Sequence, residues 1–102
     1  MEVICIDGDF PSQVLDFYKQ FGVVPPVKDK IYHIREYRKN SVDNQTGILL
    51  EELKNPKVPI KHPILGEQWI EPSFNIKRFA SLLGDEIKEE KVEQKVDLTN
   101  YN

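Results

Sequence analysis

The chain has 102 residues, of which 39% are hydrophobic and 30% charged, and its net charge is −3. This length allows one domain with a modest core. No stretch approaches the ~18 apolar residues of a membrane span, and the opening MEVICID lacks the basic start and long apolar run of a secretory signal. These features exclude a membrane-spanning protein and predict a cytoplasmic one.

Acidic residues are concentrated at the C-terminal end. Residues 1–84 contain 11 basic and 11 acidic residues, whereas residues 85–102 contain 3 basic and 6 acidic residues. We therefore predict a single domain over 1–84 and a flexible, disordered acidic tail over 85–102. A neutral body with an acidic tail has no general electrostatic attraction to nucleic acid or to an anionic membrane.

The N-terminal third predicts a strand and then a short helix. EVICIDG is rich in residues that favour extended structure, and its Cys5, the only cysteine, is predicted to be a buried small residue. Over residues 13–21 the apolar residues recur at helical spacing. Ser12 is a candidate N-cap and Gly22 a candidate left-handed C-cap. The helical stripe is predicted to lie against a sheet, and a partner-binding face is the alternative. It consists of Val14, Phe17, Tyr18 and Phe21.

The middle of the chain predicts an antiparallel hairpin over residues 31–53. KIYHIREYRK is rich in β-branched and aromatic residues, NSVDNQTG is a polar turn, and ILLEEL returns as a second strand. Alternation along the first strand separates two faces: Tyr32, Ile34 and Glu36 on one, and Ile31, His33, Arg35 and Tyr37 on the other. Residues 54–72 carry four prolines and predict an extended, partly polyproline-like loop. SFNIKRFASLL predicts a closing strand that passes into a helical turn.

Together these elements predict a mainly β (α+β) fold. We expect a small SH3-like antiparallel barrel with one short helix near the N-terminus, because closing a small sheet buries one face and removes its edges. The predicted core consists of Tyr32, Ile34, Leu50, Phe74 and Phe79.

Two adjacent carboxylates, Glu51 and Glu52, are the most conspicuous candidate site. On a strand they would leave opposite faces, whereas paired catalytic acids must converge on one substrate. Each face of this strand would then hold one acid among apolar residues, which a β-bulge or an ion pair with Arg35, Arg78 or Lys77 would relieve. We predict a structural ion pair; plain solvent exposure and a functional carboxylate are the alternatives.

Nothing in the sequence requires catalysis, a cofactor or a metal. His33 and His62 are the only histidines, and they lack the spacing of a metal site. No phosphate-binding loop, dinucleotide fingerprint or nucleophile elbow is present. The prediction is a non-enzymatic protein with no catalytic, cofactor-binding or metal residues.

The leading functional hypothesis is a protein-binding surface around Trp69. Exposed tryptophan and tyrosine line the grooves of peptide-binding barrels, and the alternative is that Trp69 closes one end of the core. The partner protein and the oligomeric state are not specified by the sequence. The predicted surface comprises the loop over residues 55–72 together with Tyr37, and the residues singled out on it are Tyr37, His62, Ile64 and Trp69.

Two other functions compete with protein binding. Basic residues interleaved with aromatic ones can bind single-stranded nucleic acid, although neighbouring acids dilute the charge here. A small-molecule or nucleotide binder that acts against host signalling is the other alternative. The candidate nucleic-acid contacts are Arg35, Arg38, Lys39, Lys77 and Arg78.

Three short segments resemble a group of small uncharacterised phage and prophage proteins. KIYHIREY matches Y-x-[IV]-x-E, GILLEEL matches G-x-x-L-E-E-[IL], and SFNIKRF matches F-x-x-x-R-F. The resemblance covers residues 3–79 and leaves out the acidic tail. It implies a β-rich accessory protein in a bacterial host and carries no known activity. The matching residues are Tyr32, Ile34 and Glu36; Gly47, Leu50, Glu51, Glu52 and Leu53; and Phe74, Arg78 and Phe79.

Overall fold

The computed structural model describes residues 1–39, 44–83 and 87. Their mainly β architecture, with antiparallel pairing and one short helix, confirms the predicted fold class at that level. The elements in chain order are β1 (Glu2–Cys5), α1 (Ser12–Phe21), β2 (Ile31–Lys39), β3 (Thr46–Leu50), β4 (Val58–His62), β5 (Gly66–Ile70), β6 (Phe74–Asn75), a 3₁₀ helix (Ile76–Arg78) and β7 (Phe79–Ser81).

Five of the strands form one sheet in the order β6-β3-β2-β1-β7. The N-terminal part of β2 pairs with β1, and its C-terminal part, from Ile34 onward, pairs with β3. The two edge strands, β6 and β7, are joined directly by the 3₁₀ helix. Within the described ranges no ladder pairs β6 with β7, so the sheet is open in its hydrogen bonding and the barrel stays a prediction.

A β-bulge changes which side chains of β2 face the core. The register shifts between Ile34 and Glu36, so that Ile34 lies opposite Leu50 and Tyr37 lies opposite Ile48. Strict alternation placed Tyr37 on the face of His33, but the extra residue turns it towards the core. The bulge predicted for the Glu51–Glu52 strand is thus found in its partner strand, and β3 ends at Leu50, before either glutamate.

The predicted core is largely confirmed. Tyr32, Leu50, Phe74 and Phe79 are at most 2% exposed, whereas Ile34 is half-buried and packs against them. Cys5 is buried as predicted, and this burial raises the pKa of its thiol. The predicted acidic tail, 85–102, lies outside the described residues except for Ile87, which is buried in the core.

Helix α1 begins one residue earlier than predicted and lacks the predicted side-chain cap. Pro11 holds the N-cap position, so the assignment of Ser12 as the cap was wrong. Pro11 already has an extended conformation that leads into a helix, and its carbonyl accepts the first N–H bonds, from Val14 and Leu15. Gly22 ends the helix at φ 75°, in the left-handed region, as predicted.

The apolar stripe of α1 lies half-buried against the core. Phe17 and Phe21 are neighbours on the helix, with ring centroids 4.9 Å apart. Tyr18 meets Phe10 and Phe74 edge-on at 5.8 and 6.2 Å. This aromatic packing holds the helix between the sheet and residues that follow β1.

The largest error concerns residues 54–72, predicted as an extended loop. They contain the β4–β5 hairpin, in which Pro59 lies opposite Trp69. A two-stranded sheet tolerates proline because each strand has an outer edge where no N–H is required. Pro63 enters the turn, and Gly66 closes it at φ 76°, a conformation that glycine adopts without strain.

Candidate interaction surface

The β4–β5 hairpin forms its own sheet, and polar contacts at its base attach it to the rest of the protein. The Asn55 side chain accepts a hydrogen bond from the Val24 N–H at 2.8 Å and donates one to the Val24 carbonyl at 3.1 Å. The Asn55 N–H donates to Glu71 Oε2 at 3.0 Å. Asn55 therefore ties the start of the hairpin both to its end and to the segment after α1.

Glu71, at the end of the hairpin, is held by two arginines of β2. Arg35 donates to its carboxylate at 2.6 Å, and Arg38 donates to its backbone carbonyl at 2.7 Å. Both side chains of the Arg35–Glu71 pair are largely covered. The apolar anchors at this base are Val58 and Ile70, which are both buried.

Trp69 is 55% exposed and lies beside the helix. Its ring meets Phe21 edge-on, with centroids 6.2 Å apart, and Pro59 lies opposite it on β4. The indole is thus oriented from two sides while much of it remains open to solvent. It does not close the core, which was the alternative interpretation of this residue.

The hairpin tip is apolar and exposed. Ile64 is 85% exposed and Leu65 is 47% exposed. The Nδ1 atom of His62 accepts hydrogen bonds from the backbone N–H groups of both residues at 3.1 Å. His62 thereby shapes the turn that presents two aliphatic side chains. Three of the four predicted surface residues, His62, Ile64 and Trp69, lie on this one hairpin.

Tyr37, the fourth predicted surface residue, lies elsewhere. It packs partly buried against the core, and its hydroxyl donates to Met1 Sδ at 3.7 Å. The bulge in β2 is the cause, because it turned this side chain inward. No described contact joins Tyr37 to Trp69.

The predicted structural ion pair is formed with different partners. Arg35 binds Glu71, and Arg78 binds Asp7, with 3.3 Å between Nη1 and Oδ1. Glu51 and Glu52 follow β3 in an exposed bend, so neither is an acid on a strand face among apolar residues. In the folded chain, the carboxylates beside these two arginines belong to Glu71 and Asp7, and not to Glu51 or Glu52.

Glu52 instead binds His33. The His33 ring donates from Nδ1 to Glu52 Oε2 at 2.5 Å, and the His33 backbone N–H donates to Oε1 at 2.8 Å. Glu2 lies on the other side of the ring, 3.8 Å from Nε2. The contact links β1, β2 and the residues after β3.

The two groups change each other's protonation. The hydrogen bond to Glu52 raises the pKa of His33 above its ordinary 6.5. Partial desolvation acts to raise the pKa of Glu52, but the hydrogen bonds from His33 outweigh it and hold that pKa below the ordinary 4.5. Both shifts favour the ion pair.

Most of the predicted nucleic-acid contacts are already engaged. Arg35 and Arg38 contact Glu71, and Arg38 also binds Glu36 at 2.9 Å. The Arg78 guanidinium lies 3.9 Å from the centre of the Phe10 ring and donates to backbone carbonyls of Asp7 and Asp9. These arginines therefore support the fold.

The sequence prediction of this surface included residues 55–72, but two contacts that form it were not predicted: Phe21 against Trp69, and Asn55 with Glu71. Phe21 was assigned to the helix-to-sheet contact, and only the position of the hairpin places Trp69 against it. The apolar dipeptide between Pro63 and Gly66 was the local signal for an exposed turn.

Comparisons with known proteins identify no relative. No protein-family profile matches the chain, and neither the curated proteins nor the solved structures contain a significant match. Over residues 1–39, 44–83 and 87, no three histidine, cysteine or acidic side chains are grouped to hold a metal ion. Among those same residues, no helix has the length and apolar character needed to cross a bilayer.

Proposed function

We propose that this chain is a non-enzymatic protein-interaction module that binds its partner through the hairpin surface, defined as Phe21, Pro59, Ile64, Leu65 and Trp69. The observation that carries the proposal is the half-exposed Trp69, oriented by Phe21 and Pro59 on a hairpin with an apolar tip. Tryptophan is enriched among the residues that dominate binding energy at protein interfaces.

The position of the hairpin supports this role. It lies outside the five-stranded sheet, and its base is fixed by Asn55 and Glu71. A surface held at its base loses little conformational freedom on binding, which favours affinity. The apolar tip exposes two aliphatic side chains, Ile64 and Leu65, to solvent.

An SH3-like barrel remains our proposal for the architecture. Its support is that β2 belongs to two ladders, with the bulge beside the point where it passes from β1 to β3. The short 3₁₀ connection between the two edge strands also supports it. Nuclear Overhauser contacts between backbone protons of β6 and β7 would establish closure; their absence in a fully assigned spectrum would contradict it.

A phage or prophage accessory role is likewise a proposal, supported by the sequence resemblance alone. Its motif residues Tyr32, Leu50, Phe74 and Phe79 are buried, whereas Glu36, Glu51 and Glu52 are exposed. The resemblance specifies no binding partner. Four residues of the hairpin surface fall between the second and third motifs, and Phe21 precedes the first motif.

Site-specific photocrosslinking tests the hairpin surface. A photoreactive amino acid is placed at Ile64 and, as a matched control, at Leu83, an equally exposed aliphatic residue outside the hairpin. We expect position 64 to capture a distinct host protein and position 83 not to. Capture of the same proteins at both positions would contradict the proposal.

The captured protein is then purified and titrated against the chain. Trp69→Ala should weaken binding roughly 30-fold, equivalent to about 2 kcal/mol, while Leu83→Ala should leave it unchanged. Trp69 is the only tryptophan, so its fluorescence reports the contact directly. Equal affinities of the two variants, with both folded by circular dichroism, would overturn the proposal.

A further inference from the structure

The two outer edges of the hairpin differ in their capacity to pair with another strand. β4 contains Pro59 and Lys61, both of which discourage strand addition. β5 is GEQWI, with neither proline nor lysine. In the described part of the chain no strand pairs with its outer edge.

Pro59 also establishes which backbone groups point outward. Directly opposite residues of an antiparallel pair either exchange two hydrogen bonds or both face away. Pro59 has no N–H to exchange, so it and Trp69 form a pair of the second kind. By alternation, the N–H and C=O groups of Glu67 and Trp69 point out from β5, and those of Gln68 point towards β4.

We propose that the β5 edge pairs antiparallel with the β5 edge of a second copy of this chain, about a two-fold axis through Gln68. This deepens the proposed function, on which it rests, by naming one partner of the hairpin surface. The two hairpins would join into a four-stranded sheet, and the outward groups of Glu67 and Trp69 would gain partners.

Symmetry and charge together select this register. Neighbouring residues point their backbone groups in opposite directions, so the axis must pass through a residue. An axis at Glu67 would oppose two identical carboxylates, and an axis at Trp69 would oppose Glu67 to the partner's Glu71. Like charges directly opposite each other destabilise a pair. The axis at Gln68 places Glu67 against the partner's Trp69 and opposes no like charges.

The pairing should be weak, since a five-residue edge buries less area than a standard stable interface. Its first test is sedimentation equilibrium from roughly 10 to 1,000 µM, the range suited to a small, weak contact. We expect reversible self-association, with a concentration-dependent change in Trp69 fluorescence. A chain that remains monomeric throughout this range overturns the proposal.

Proline substitutions distinguish the two edges. Glu67→Pro removes an outward N–H from β5, whereas Lys61→Pro removes the matching N–H from β4 at the opposite position of the same ladder. We expect Glu67→Pro to weaken self-association at least tenfold and Lys61→Pro to leave it within twofold. Equal effects of the two substitutions would contradict pairing through β5.

Cysteine substitution tests the register without disturbing the hairpin backbone. Across the proposed axis the two Gln68 Cα atoms would lie about 4.5 Å apart, close enough for a disulfide. Gln68→Cys should give a covalent dimer on mild oxidation, and Glu67→Cys should not. Dimers from Glu67→Cys alone would overturn the proposed register.

The outcome is separable from that of the proposed function. If the chain is monomeric and yields no disulfide at position 68, while Trp69→Ala still weakens binding of a crosslinked host protein, the second-copy proposal fails and the interaction module stands.

Discussion

The five-stranded sheet and the β4–β5 hairpin are stabilised in different ways. In the sheet, inward side chains such as Ile48 and Leu50 are fully buried. In the hairpin, only Val58 and Ile70 are buried, at 2% and 7% exposure, and the tip is exposed. Apolar burial stabilises the sheet, whereas the hairpin also depends on polar contacts at its base.

The difference indicates where the chain tolerates change. Apolar burial contributes about 25 cal/mol per Å² removed from water, so side chains that stay in water contribute little to folding. The exposed residues of the hairpin are therefore available for binding. Variants of the hairpin tip should alter interactions and leave the global fold intact.

The largest expected effect is in the sheet. Leu50→Ala removes a fully buried side chain and should lower the free energy of unfolding by about 2–5 kcal/mol. Leu65→Ala, the same substitution at the hairpin tip, should change it by less than about 0.5 kcal/mol. Urea denaturation measures both. Similar losses for the two variants would show that the hairpin tip belongs to the core.

An intermediate effect is expected at the anchor. Glu71→Gln removes the charge that Arg35 binds in a largely covered setting and should cost roughly 1–3 kcal/mol. The matched control, Glu36→Gln, affects the more exposed Arg38–Glu36 pair and should cost less than about 1 kcal/mol.

We also predict which strands lose stability in the Glu71→Gln variant. Amide hydrogen exchange should accelerate in β4 and β5 of the Glu71→Gln variant before it does in β2 and β3, because local opening begins where the anchor is lost. Uniform acceleration over all four strands would mean that hairpin and sheet unfold as one unit.

The smallest effect concerns the His33–Glu52 pair, and it depends on pH. The raised pKa of His33 adds stability that is complete below its ordinary 6.5 and lost as pH rises through the folded value. The lowered pKa of Glu52 adds stability present above its ordinary 4.5 and lost as pH falls through the folded value. The pair should therefore stabilise most between these two pH values.

Thermal denaturation of His33→Gln against the unsubstituted chain measures this contribution. The difference in Tm should be greatest near pH 5.5, the middle of that window, and should shrink towards pH 9. His62→Gln serves as the control, since His62 lies in the hairpin turn. A difference that grows with rising pH would contradict the assigned ion pair.

The sequence by itself determined the features that depend on local backbone preference. Residues that favour extended structure predicted β1 and β2, the apolar run after a polar turn predicted β3, and the stripe ending at Phe21 predicted α1. The same patterns identified Tyr32, Leu50, Phe74 and Phe79 as core. These predictions succeed because the period of apolar residues reflects which side of each element must be buried.

The sequence predicted only part of the hairpin surface and of the contacts that hold it. Composition identified Trp69 and the residues of the turn, since tryptophan beside prolines is unusual for a core strand. The Arg35–Glu71 ion pair could not be predicted from the sequence, because its two residues are separated by 36 positions. Several acids could have paired with Arg35, and the pairing depends on which segment arrives beside it.

Only the tertiary structure decided the bulge at Arg35, the inward turn of Tyr37 and the hairpin within the proline-rich segment. A single inserted residue reverses the facing of every residue after it, and no local pattern records that insertion. Proline is disfavoured in a central strand but tolerated in an edge strand. Whether Pro59 could lie in a strand therefore depended on how many strands flank it. Contacts between segments distant in sequence determined all three features, because side chains from separate parts of the chain pack into one core.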